Sequence, residues 1–195
     1  MTEQKRKKPK RYDYRARVLA VKSEQRQRQE GNKAMSAQIG ANLTKTWTAA
    51  QLLSEGDAWA VGDVIRTSDG KAYKFVQYDT GAGPVAAVAG NVCYYYAPGG
   101  TSAGATTVVT SDLSDSAGVG AGVLQSAPAD GEYCWIQIRG PATLNTALTA
   151  GADGNALTAV GSTDGTLDVS ALVTDAVVAF AIDASAKIVM CMFPE

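Results

Sequence analysis

The nine residues at 132–140, EYCWIQIRG, alternate with a period of two. Cys134, Ile136 and Ile138 fall on one side of an extended chain; Tyr133, Trp135, Gln137 and Arg139 fall on the other. Successive side chains of a strand point to opposite faces, so the run predicts a strand with a small apolar face and an aromatic, amphipathic one. Ala127-Pro128-Ala129-Asp130-Gly131 before it and Gly140-Pro141 after it read as turns.

The same grammar recurs along the chain. Residues 61–67 and 71–78 flank Ser68-Asp69-Gly70, a hairpin signal. Residues 85–89, 92–96 and 106–110 are further strand candidates, and Tyr94-Tyr95-Tyr96 must place rings on both faces of its strand. Residues 177–182 and 187–193 form a closing hairpin across Asp183-Ala184-Ser185-Ala186. With residues 119–138 this makes a weak internal repeat: a Val/Ala strand, a small-residue turn, then an apolar strand bearing a cysteine. Twenty glycines favour turns over long helices. The expected fold is all-β, a small sandwich or barrel built from hairpins.

Charge divides the chain. Residues 1–33 hold 12 Lys/Arg against 4 Asp/Glu, about +8, and residues 34–195 hold 6 against 15, about −9. The first segment reads as a basic arm, extended and partly helical, with Gln, Arg and Glu favouring a helix over 23–30 until Gly31-Asn32. Residues 34–56 read as a connector, and residues 57–195 as the β-rich domain. An arm with so thin an apolar stripe orders against a partner rather than alone. Its expected contacts are Lys5, Arg6, Lys7, Lys8, Lys10, Arg11, Arg15, Arg17, Lys22, Arg26 and Arg28, with Tyr12, Tyr14 and Leu19 as apolar anchors. An acidic protein surface suits this arm better than nucleic acid, because phosphates would repel the acidic body and no reader motif is present. Trp47 and Trp59 read as packing residues, with interface anchoring as the rival role; with Tyr94, Tyr95, Tyr96 and Trp135 they are also possible subunit-interface residues.

The chain has no histidine, which removes the commonest general base and metal ligand. Cys93, Cys134 and Cys191 lack the paired spacing of a zinc site and sit in apolar runs, as buried free thiols do. The Gly118-to-Gly122 alternation lacks the Lys-Ser/Thr of a phosphate loop and reads as close strand packing. Asp153-Gly154-Asn155 and Asp164-Gly165 lack EF-hand spacing and read as turns. No apolar stretch approaches the roughly 20 residues of a membrane span. The expectation is a structural or binding protein, with no catalysis, cofactor or metal.

Gly122-Val123-Leu124, then Ala127-Pro128-Ala129-Asp130-Gly131-Glu132, then Trp135-Ile136-Gln137-Ile138-Arg139-Gly140 resembles a repeated pattern of capsid decoration (cement) proteins of tailed bacteriophages. Val61-Gly62-Asp63-Val64 resembles the opening strand of that domain, and Ala181-Ile182 with Ile188-Val189-Met190 its closing hairpin. The likeness spans residues 57–194; the long basic arm departs from it. It implies a homo-oligomer, a trimer above others, on the outer surface of a phage head, cementing neighbouring major capsid proteins. Two other roles fit the same residues: a virion-surface adhesion or glycan-binding module, and an internal head protein whose arm touches DNA.

Overall fold

The computed structural model describes residues 40–55, 59–98, 106–161 and 163–195. The basic arm, with the charged, aromatic and Leu19 contacts assigned to it, lies outside these residues. The chain divides into Met1–Asn42 and a compact unit Leu43–Glu195. The compact unit thus takes in residues 43–55, which the sequence assigns to a connector, because Trp47 is built into it.

One short helix, α1 (Ala49–Glu55), opens the unit. Thr48 and Gln51 bracket its start reciprocally: the Gln51 amide donates to Thr48 Oγ1 (3.3 Å) and the Thr48 amide to Gln51 Oε1 (2.8 Å). These contacts satisfy amide groups that a helix start leaves without intrahelical partners.

Among the described residues ten strands follow: β1 (Val64–Arg66), β2 (Ala72–Tyr78), β3 (Val92–Tyr96), β4 (Val108–Thr110), β5 (Ser116–Leu124), β6 (Tyr133–Thr143), β7 (Ala156–Thr158), β8 (Asp168–Val169), β9 (Val177–Asp183) and β10 (Ile188–Met192). Pairing runs β2–β4–β3–β5–β6, and β6 pairs again with β2, closing a five-stranded barrel. β2 and β4 run parallel; the other pairs of the ring are antiparallel. Closure removes sheet edges from this part of the molecule.

β1 pairs with β2 at the side of the barrel, and β6 joins the barrel to the other strands. Its first half pairs with β2, and its last five residues, Arg139 to Thr143, pair with β10; β9, β7 and β8 follow in order. The sequence reads Gly140-Pro141 as a turn, but the strand continues through both residues. Gly140 takes φ +89°, a conformation open to glycine, and Pro141 sits opposite Met190 on β10. Residues 85–89 do not join the sheet; the Val85 carbonyl accepts from the Tyr78 hydroxyl (2.9 Å) and its amide donates to Thr80 O (3.2 Å).

The core lies inside the barrel and continues beneath β9 and β10. Val76, Tyr78, Tyr94, Val109, Leu124, Cys134, Ile136 and Ile138 are all at most 1% exposed. The Gly-alternating run is where β5 approaches its neighbours most closely. A Cβ on Gly122 would stand 2.9 Å from Gln137 O, and one on Gly120 2.9 Å from the Phe193 ring.

Candidate interaction surfaces

Phe75 on β2 and Trp135 on β6 are register partners, and both point away from the barrel interior. Their rings meet at 5.0 Å. Trp47 covers them from outside, edge-on to Phe75 at 5.3 Å, and Trp59 stands edge-on to Trp135 at 5.1 Å. Tyr133 stacks on Phe75 at 6.2 Å. Trp47 is held by an isolated bridge: its amide donates to Tyr133 O (3.0 Å) and its carbonyl accepts from the Tyr133 amide (2.8 Å). The aromatic face of the central strand therefore carries a second small core.

The interface candidates divide by burial. Trp47, Tyr94, Tyr95 and Trp135 are buried within the subunit. Tyr94 donates its hydroxyl to Thr166 O, and Tyr95 faces the ammonium of the buried Lys74 (2.9 Å to its oxygen, 5.1 Å to its ring). Tyr94 and Tyr95 are strand residues of the closed barrel, whereas the rings of Trp47 and Trp135 are buried outside it, in the cluster with Phe75 and Trp59; period-two alternation alone reveals neither. Trp59 and Tyr96 remain half-buried.

Tyr96 marks an acidic corner. Burial first, then the carboxylates of Asp79, Asp115, Asp130 and Asp112, hold its phenol above the usual range. These carboxylates also clasp the loop after β2. Asp79 accepts from the Gly81 amide (2.9 Å), Asp115 from the Ala82 amide, Asp112 from the Gly83 amide (3.3 Å) and Asp130 from the Thr80 amide (3.1 Å). Gly81 has φ +78°, and a Cβ there would stand 2.8 Å from Asp112 Oδ2 and 2.9 Å from Asp115 Oδ2. Only glycine lets the loop pass so close to the two carboxylates.

The other chemistry-bearing groups serve the fold. Asp153 accepts from the Ala184 amide (2.8 Å) and Asp164 from the Leu113 amide (2.8 Å), so the Asp-Gly turns cap neighbouring loops. Cys93, Cys134 and Cys191 are free and buried. Burial pushes the Cys134 and Cys191 thiols up to about 12 and Cys93 well above its ordinary value, which keeps all three protonated at neutral pH. Among the described residues no three His, Cys, Asp or Glu side chains converge as metal ligands, and no helix is long and apolar enough to cross a membrane. A cleft of about 360 Å³ between β5 and β6 is lined by Gln125, Gln137 and Lys71 among apolar neighbours.

The surface that sequence reasoning missed is the outward side of β6, β10 and β9. Phe180, Ile182, Met190 and Met192 are 38–45% exposed there, although their strand neighbours Ala179, Ala181, Val189 and Cys191 are buried. The signal was present in the sequence: both strands of the closing hairpin are apolar at odd and even positions alike, as strands covered on both faces are.

No family model, curated protein or solved structure matches the chain.

Proposed function

We propose that this protein is a structural component of a tailed-phage virion. It decorates the outer surface of the head and cements neighbouring major capsid proteins, without catalysis. The observation that carries the reading is the division of the chain into a segment of about +8 and a compact acidic β unit. A rigid barrel supplies a folded body, and a basic segment with Tyr12, Tyr14 and Leu19 supplies contact area on an acidic partner. The likeness of residues 57–194 to capsid decoration proteins supports the same reading and favours a homotrimer.

Burial of Trp47, Tyr94, Tyr95 and Trp135 weighs against the glycan-binding alternative, which needs exposed rings to stack on sugars. The test is to mix the purified protein with undecorated heads and reconstruct the particles. The reading expects regular density on the outside, bridging adjacent capsid proteins. Unoccupied heads, together with salt-sensitive binding to free DNA, would replace it with the internal-protein alternative.

A further inference from the structure

We propose that the outward face of β6, β10 and β9 is a docking surface for a second copy of this chain. Register makes the face continuous. Met190 lies opposite Phe180 on one side and Pro141 on the other, and Met192 lies opposite Arg139. Ile182 adjoins Phe180 two residues along the same strand. An antiparallel sheet that meets water on one side carries polar residues there; this one carries Phe, Ile and Met on one side while its other side is already packed.

Charge selects the occupant. The face has a positive end, at Arg139 beside Met192, and a negative end, at Asp183 opposite Ile188. A surface with an apolar middle and opposite poles complements itself when the positive end of one copy meets the negative end of another. The chain's own basic segment is a poorer match. Its apolar anchors Tyr12, Tyr14 and Leu19 are spread among twelve Lys and Arg side chains, and the carboxylates that would suit those cations gather instead around Tyr96 on the barrel. The inference concerns contact between copies and stands whether or not the protein sits on a phage head.

The test uses the full chain, since the docking residues are exposed and their replacement spares the core. Light scattering measures the mass of wild type, Met190→Lys and Phe180→Ser, with circular dichroism to verify folding. Brief peroxide treatment then reports the accessibility of Met190 and Met192 by mass spectrometry. The expected result is a wild-type mass above the 20.2 kDa monomer, protection of both methionines, and association weakened by roughly tenfold or more in each variant. Three outcomes would overturn the proposal: a monomer with both methionines readily oxidised, an oligomer that neither variant disturbs, or protection at monomer mass. The last would assign the face to the chain's own N-terminal segment.

Discussion

Trp47 stands edge-on to Phe75, ring centroids 5.3 Å apart and planes at 78°, so a residue upstream of the first strand completes the outer packing of the barrel. Trp47 is 2% exposed and Phe75 fully buried. The aromatic side of the central strand is thereby closed from within the chain.

Trp47→Ala should therefore destabilise the body by about 3–5 kcal/mol, the usual cost of emptying a buried aromatic site. Trp47→Phe should cost clearly less. Among the described residues the buried Trp47 indole N–H has no hydrogen-bond partner, so its removal loses ring volume but no polar contact. Urea unfolding of both variants checks the order.

Gly122→Ala should cost about 1–3 kcal/mol, because the added methyl meets a backbone oxygen at 2.9 Å and the Ile136 Cβ at 3.1 Å. The unfolding midpoint should fall while the far-ultraviolet spectrum keeps its β signature.

Lys74 is 4% exposed; among the described residues no carboxylate forms an ion pair with it, and its ammonium donates to the Tyr95 hydroxyl. Tyr95→Phe removes that acceptor from a buried charge and should cost about 1.5–3 kcal/mol. Lys74→Met removes the charge itself and should be close to neutral. Equal losses in the two variants would contradict this account of the pair.

The three thiols link stability to alkaline pH. Burial raises Cys93, Cys134 and Cys191 above the ordinary value of 9.0 in the folded chain, so that between about 9 and 12 the folded state holds protons that the unfolded state releases. Their contribution is fully present below pH 9 and is lost as pH rises through the folded values. Urea midpoints should be flat in this respect at neutral pH and decline above 9. Cys134→Ala should make the decline shallower. Iodoacetamide at neutral pH should label these thiols only after unfolding.

Strand existence was legible wherever alternation met turn chemistry. Ser68-Asp69-Gly70 does join β1 to β2, and the closing hairpin spans β9 and β10 as its residues suggest. Local pattern does not encode which strands meet across the barrel. The β2–β6 closure joins strands over fifty residues apart, and it sets Trp135 against Phe75. Residues 85–89 have strand-like composition but find no ladder partner among the described residues; the Tyr78 hydroxyl donates to the Val85 carbonyl there. Pro141 looked like a terminator, yet Gly140 supplies the backbone conformation that lets β6 run on to meet β10. For the exposed apolar face the sequence shows that β9 and β10 are apolar on both sides, and the position of the strands in the sheet shows which side faces outward.

The central claim is that a positively charged leader attaches an already folded acidic body to its partner. The most direct measurement is occupancy of undecorated heads by the chain lacking residues 1–33, compared with the full chain across a range of salt. The account predicts a large loss of occupancy on truncation and a salt dependence that disappears with the leader. Full occupancy by the truncated chain, with salt sensitivity unchanged, would contradict it.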